Sequence, residues 1–340
     1  MAAGAAPPRM AVAVATSGGR DSTALLHCTA RAAGALGIEV RALHVHHGLM
    51  PQADAWQAHV ERQCRRWRLP CTVARLEGAP TKGDSVEAWA RRGRYRALAQ
   101  MARAHGIGLV LLAHHRRDQA ETFLLQALRG GGAAGLAAMP RQALREGISW
   151  ARPWLDMPRA AIDAYLRRHR LGCVEDGSNE ALRYARGRLR RLVWPTLLEA
   201  FPDAETTFVR AAQRAAAEAD LLAEIAAADL QAVRADLRGL SLPAWGALSA
   251  ARRVNVLRTW LAGALDAPVP ETLVRRLATE LPAARHGQWP APGGCLRLRR
   301  ACLAFEPALP VAGPAAPTLL ESTSMPAPHS PAQNKTQRWH

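Results

Sequence analysis

The chain has no long apolar run. Nothing in its 340 residues approaches the roughly 20 consecutive apolar residues a bilayer crossing requires. Met1–Arg9 also lacks the charged-then-apolar order of a secretory leader, so the expectation is a cytoplasmic protein with no membrane partner. Paired cysteines are missing as well. Cys28, Cys64, Cys71, Cys173, Cys295 and Cys302 are scattered with no C-x-x-C, which argues against a zinc ribbon, a thioredoxin-like centre or an iron–sulfur site. A chain of this size needs no disulfide staples, and the thiols read as reduced and structural. Lysine is almost absent: Lys82 and Lys335 stand against a total of 45 basic residues, so the positive charge is arginine.

That charge is large. A formal net charge of +17 points to a polyanionic partner, because clustered cations gain affinity for phosphate backbones by releasing counterions. Apolar content of 49% and charged content of 21% are ordinary for a globular chain, and the length allows two or three domains.

The organising stretch is Met10–Ser22, MAVAVATSGGRDS. Small and β-branched residues from Ala11 to Ala15 read as a buried parallel strand, which breaks at Gly18-Gly19 before a helical pattern over Thr23–Leu36. Strand, glycine turn and helix start make an anion site, since glycines admit close approach and the first N–H groups of a helix are unpaired. Ser17, Asp21 and Ser22 add short polar groups around it. Further strands are expected at Ile38–Val45, Cys71–Leu76 and Leu109–Ala113, with helices at Asp54–Arg68, Ser85–His105 and Asp118–Leu128. This alternation predicts an α/β fold, a parallel sheet covered on both faces with its ligand site beyond the carboxyl ends of the strands. Three polar clusters fall at such ends: Ser17–Ser22, His44–Gly48 and His114–Glu121.

These residues resemble a known family. Ser17-Gly18-Gly19-Arg20-Asp21-Ser22 matches the S-G-G-x-D-S pyrophosphate loop of the N-type ATP pyrophosphatases, and the lysine of a kinase-type P-loop is missing. Within that superfamily, His44-Val45-His46-His47-Gly48-Leu49 resembles the H-V-x-H-G-L segment of tRNA(Ile)-lysidine synthetases. The helix with Glu87, Arg91, Arg94 and Tyr95, the segment from His115 to Thr122, and Arg129-Gly130 through Gly135-Leu136 follow in the family's order. So do Arg152-Pro153-Trp154-Leu155, Glu175-Asp176-Gly177-Ser178-Asn179, and then Tyr184, Arg186 and Arg190. Two positions depart from the pattern: Arg117 replaces the first of two aspartates, and Gly187 stands where the family usually has asparagine.

The resemblance implies a Rossmann-like PP-loop domain of the adenine nucleotide alpha hydrolase type over 10–200, after a tail at 1–9. A helical connector at 201–238, a small α-rich accessory domain that binds tRNA at 239–305 and a Pro-rich, disordered tail at 306–340 would follow. ATP would be held by Ser17, Gly18, Gly19, Arg20, Asp21 and Ser22, with Asp21 orienting Mg²⁺. The implied reaction adenylates the carbonyl oxygen of a cytidine in a CAU-anticodon tRNA(Ile), after which free L-lysine expels AMP. Asp118 and Glu121, three residues apart on one helix face, would line the lysine pocket, with Arg91 and His115 as further catalytic residues. First-turn acidic residues also simply complement a helix dipole, so spacing alone leaves both roles open. The oligomeric state stays open, a homodimer being one reading.

Other readings are weaker. The histidines show no H-x-x-x-H pair for zinc, and Gly130–Gly135 fits G-x-G-x-x-G but follows a helix, which fails the dinucleotide context. It reads as a flexible loop beside the active site. The basic run Arg183, Arg186, Arg188, Arg190 and Arg191 is a candidate tRNA-backbone contact. Another pyrophosphatase-loop enzyme, such as a tRNA thiolase or an amidating synthetase, is a second reading. A tRNA-binding protein with a decayed site, suggested by Arg117, is a third.

Overall fold

In the computed structural model, the described residues are 10–48, 50–76, 78, 86–174, 182–235, 239–265 and 267–308. Leu49, the loop around Gly83, the Glu87 side chain, Glu175–Asn179 and most of both tails lie outside them. Two compact units divide between Glu224 and Ile225.

The first unit is built on strands whose side chains alternate between two apolar layers, as the two-residue period of a strand demands. Ala13 of β1 (Ala11–Ala15), Leu43 and Val45 of β2 (Glu39–His46) and Val110 of β4 (Leu109–Leu111) face one core. Ala97, Leu98, Met101 and Ala102 of α3 (Val86–Ala104) close that side. Val12, Val14, Val40 and Ala42 face the other, against Leu25 and Leu26 of α1 (Arg20–Gly34) and Val60 and Cys64 of α2 (Ala53–Trp67). With β3 (Cys71–Arg75), β5 (Gln142–Arg145) and β6 (Ile148–Ala151), the sheet order is β3-β2-β1-β4-β6-β5.

All neighbours are parallel except the β5–β6 edge hairpin, which sequence reading does not anticipate. Its two-residue turn, Glu146-Gly147, has both φ values positive, the hairpin-favouring geometry, and it joins strands of only four residues. The order runs outward from β1 in both directions, which makes the β1/β4 junction the topological switch point where α/β sheets bind ligands.

Helices α4 (Arg116–Ala127), α5 (Ala133–Leu136) and α6 (Arg159–His169) follow β4 and β6. The Gly130–Gly135 stretch thus follows a helix, and its second half forms the single turn α5 rather than a plain loop. Beyond lie α7 (Ala185–Arg188), a π-helical turn at Leu189–Val193 and α8 (Trp194–Ala200). The π turn has a local cause. Pro195 carries no N–H, and Trp194 donates to the Leu189 carbonyl five residues back, widening the helix just before it.

Helix α9 (Ala204–Val233) contributes residues to both units. The second unit has a four-stranded antiparallel sheet, β7-β10-β9-β8, formed by β7 (Leu240–Ser241), β8 (Gly287–Ala291), β9 (Gly294–Arg299) and β10 (Cys302–Pro307). It shares one core with α10 (Leu242–Gly246), α11 (Ala250–Ala264) and α12 (Glu271–Glu280), filled by Trp245, Trp260, Trp289 and a leucine-rich set. The Gly287–Phe305 segment, expected as one hairpin, is two: the second turns at Arg300-Ala301, where two non-glycine residues take positive φ without a glycine or asparagine signal.

Among the described residues no helix is long and apolar enough to cross a membrane.

Candidate active site

Two loops meet at the switch point because β1 and β4 are hydrogen-bonded neighbours. After β1 the chain turns at Gly18, whose φ is +83°, and enters α1 at Arg20, three residues before the expected start, so Asp21 and Ser22 lie in its first turn. Glycine is required on two counts. The positive φ disfavours a side chain, and a Cβ would approach Val60 Cγ2 at 3.0 Å and Val174 Cγ2 at 3.2 Å.

The turn is braced from within. The Ser17 N–H donates to Ser22 Oγ at 3.2 Å, the Ser22 hydroxyl to the Gly19 carbonyl at 3.0 Å, and the Gly19 N–H to Ser17 Oγ at 3.3 Å. Thr23 donates the first intrahelical bond to the Gly19 carbonyl at 2.9 Å, so the N–H groups of Arg20, Asp21 and Ser22 precede the helical ladder and suit an anion. The Arg20 guanidinium lies 3.5 Å from Asp163 of α6, leaving its backbone N–H as the loop's contribution.

From the other loop, His115 stands at the N-cap of α4 and Asp118 in its first turn. His115 Nε2 lies 3.8 Å from Asp21 Oδ2 and 3.5 Å from Asp118 Oδ2, bridging the two loops. Burial raises the Asp21 carboxyl above its ordinary pKa, with His115 pulling the other way and Asp118 adding to the rise. Asp118 is held below the usual range: burial opposes ionisation, but His115 and Arg190, with the 3.1 Å bond from the His115 N–H, outweigh it.

Glu121 has no exposed surface and is surrounded by guanidiniums. Arg190 Nε donates to its two oxygens at 2.8 and 3.0 Å while Nη2 donates to Asp118 Oδ1 at 2.9 Å. Burial disfavours the charge on Arg190, yet its bond to Glu121 and the attraction of both carboxylates raise its pKa. Arg186 stands 3.7 Å from Glu121 and donates to Thr122 Oγ1 at 2.7 Å.

Two of the five arginines expected at the tRNA backbone therefore turn inward. The sequence showed them as part of a basic run, but nothing in it named the carboxylate they share. Arg117, the departure from the family pattern, also folds back: its Nε is 3.3 Å from Glu121 and its guanidinium lies 5.2 Å from the Trp194 ring centroid.

The remaining expected groups are spread more widely. His44 backs the turn through a 2.9 Å bond in which Nδ1–H donates to the Thr16 carbonyl, which fixes its tautomer. His46 faces Asp54 of α2 at 3.3 Å instead. Arg91 is exposed on α3, over the Tyr95 ring at 5.4 Å, and belongs to neither loop.

The donor set fits a hard cation beside phosphates. Asp21 Oδ1 is buried without a hydrogen-bond partner at the head of the turn. No three His, Cys, Asp or Glu side chains converge as a metal site among the described residues, so Mg²⁺ there would complete its shell with phosphate oxygens and water.

The PP-loop domain family matches residues 4–197, and the TilS substrate binding domain matches residues 240–304. A tRNA(Ile)-lysidine synthase of Bordetella bronchiseptica is 43% identical over 308 residues, covering 87% of this chain and 88% of that protein. The tRNA(Ile)-lysidine synthase of Ralstonia nicotianae is 43% identical over 310 residues, covering 89% of this chain and 66% of its own length. Among solved structures, a U34-tRNA thiolase from Methanococcus maripaludis superposes with a TM-score of 0.52 at 13% identity, over 60% of this chain and 71% of that one, which shows a shared fold.

Proposed function

The chain belongs to the tRNA(Ile)-lysidine synthase family, whose members are ATP-dependent ligases of the PP-loop type, and we propose how its own residues carry that reaction. The braced turn at Ser17–Ser22 and the first-turn N–H groups of α1 hold the β- and γ-phosphates of ATP and leave the α-phosphorus open. The carbonyl oxygen of the anticodon cytidine attacks that phosphorus and pyrophosphate departs. Mg²⁺, held by Asp21, would neutralise phosphate charge and orient the chain of oxygens.

In the second half-reaction the side-chain amine of free lysine attacks the adenylated base and AMP leaves. Asp118 is the carboxylate suited to the amine, because its depressed pKa keeps it charged and it faces His115 and Asp21. His115 stands where it can take the proton the attacking amine must lose. Glu121, enclosed by three arginines, cannot serve as a bare anion for lysine; it orients Arg190, which in turn fixes Asp118. Arg91 is left as a surface residue able to meet tRNA phosphate.

The observation that carries this reading is the link from Asp21 through His115 to Asp118, which joins the pyrophosphate turn to the acidic helix start. Incubating the chain with ATP, Mg²⁺, labelled lysine and a CAU-anticodon tRNA should transfer label to the tRNA with release of AMP and pyrophosphate. Retention of tRNA with no AMP formed would indicate a decayed site instead.

A further inference from the structure

A second concentration of chemistry lies on α1, α2 and α6, away from the groups assigned to ligation. His27 is six residues, about 9 Å, along α1 from Asp21. A cavity of about 270 Å³ is lined there by His27, Gln63, Arg66, Trp67, His169 and Arg170. Its wall is aromatic. His27 stands 5.1 Å from Trp67 and 5.1 Å from His169, and Tyr165 lies 4.3 Å from His169, all between ring centroids. Interplanar angles of 62°, 48° and 46° mean that none of these rings covers the full face of another. A 2.9 Å hydrogen bond between His27 Nδ1 and the Tyr165 hydroxyl holds α1 and α6 in register. Burial, with His169 and Arg31 close by, lowers the His27 pKa, so at neutral pH it is an uncharged ring.

The rim is basic. Helix α2 ends in Arg62, Arg65, Arg66 and then Arg68, and α6 ends in Arg167, Arg168 and then Arg170, all exposed. Arg68 and Arg170 close their helices in the left-handed conformation, with φ of 56° and 50°. Among the described residues none of these seven forms an ion pair with a carboxylate. Guanidiniums with no carboxylate partner among the described residues attract phosphate, and aromatic rings lining a cavity attract bases. A simple anion would use the arginines and ignore the rings; a nucleotide uses both. The cavity falls just below the size of drug-like sites, room for one base.

We propose that this pocket takes a single nucleotide, its base against Trp67 and His169 and its phosphate on Arg66 and Arg170, and that the nucleotide belongs to an RNA strand. The arginine row extends well beyond what one phosphate can use, which favours a strand over a free mononucleotide.

The test uses the full chain, with a short end-labelled single-stranded RNA followed by anisotropy and AMP followed by calorimetry. The exposed pair Arg66→Gln/Arg170→Gln should weaken RNA binding at least about tenfold and reduce the salt slope by about 0.7 for each phosphate no longer neutralised. Trp67→Ala should weaken it about five- to a hundredfold. If Trp67→Ala fails to fold, the double arginine variant decides. Weakened RNA binding with an unchanged number of AMP sites supports the proposal, whereas loss of an AMP site with RNA binding intact overturns the RNA assignment. A folded double variant with wild-type RNA affinity, salt slope and AMP stoichiometry overturns the pocket altogether. Lysine ligation is not the readout, so failure of the ligase assignment leaves this test standing.

Discussion

A carboxylate with no exposed surface and three guanidinium neighbours is the centre of the residue-scale account. Glu121 lies within ion-pair distance of Arg190, Arg117 and Arg186. Removing one partner of a buried pair costs about 3–5 kcal/mol when the other is left alone. Here two arginines would remain, so Arg190→Met should cost about 2 kcal/mol, a drop in Tm of about 4–8 °C by calorimetry. The same variant should lose most AMP formation, because Asp118 loses its anchor. Arg117→Ala removes a partly exposed contact directed at Glu121 rather than at Asp21. It should lower kcat by less than about tenfold, since Arg190 and Arg186 still face Glu121 and Asp118 keeps its bond to Arg190; a larger loss in an AMP-release assay would put Arg117 in the chemistry itself. Asp21→Ala should reduce AMP formation at least about a hundredfold while tRNA affinity in a filter-binding assay stays nearly unchanged.

At the scale of elements, the turn between β1 and α1 leaves little room for substitution. Gly18→Ala would place a methyl group against Val60 and Val174 on a backbone that disfavours any side chain. A cost of about 1–2 kcal/mol is expected from such strain, with a rise in the KM for ATP exceeding any change in the KM for lysine. Equal changes in both would argue that the turn does not hold ATP. The π-helical turn before Trp194 is a second such element. It carries Arg190, and with α7 it brings two arginines four residues apart onto one acidic pair. The pattern of arginines was legible, but their direction was not: exposed phosphate contacts and buried carboxylate partners look alike until the partner helix is in place. The β5–β6 hairpin was equally hidden, because four-residue strands carry too short a period to read.

For the whole molecule, the buried histidines set the response to acid. Burial lowers the pKa of His44, and lowers that of His114 to about 3. His27 and His59 shift the same way, for the same leading reason. At these four histidines the folded chain binds fewer protons than the unfolded chain once pH falls below about 6.5, so their contribution to stability falls with pH, while the raised Asp21 carboxyl acts in the opposite sense at lower pH. The depressed pKa of Asp118 acts lower, where stability is lost as its carboxylate protonates. The urea midpoint should decline from pH 7 to pH 5; a flat profile would show that these histidines are not neutral in the fold. The formal charge of +17 predicts a second bulk property. Raising salt from about 50 to 200 mM should weaken tRNA binding by at least about a hundredfold.

Local order alone determined much of this protein. The apolar strand at Ala11–Ala15, the two glycines after it and the polar groups at three strand ends placed an anion site, because strand period, glycine geometry and helix ends are short-range properties. Motif order along the chain then assigned the family. Tertiary structure decided which distant groups meet. The pairing of β1 with β4 brought Asp21 to His115, and the fold of 185–200 onto α4 gave Glu121 two of its three arginines, Arg186 and Arg190. Arg117 could have entered the site or turned away; its contacts with Glu121 and Trp194 settled the matter. Contacts between residues far apart in sequence depend on packing of whole elements, and no local pattern of residue types encodes them.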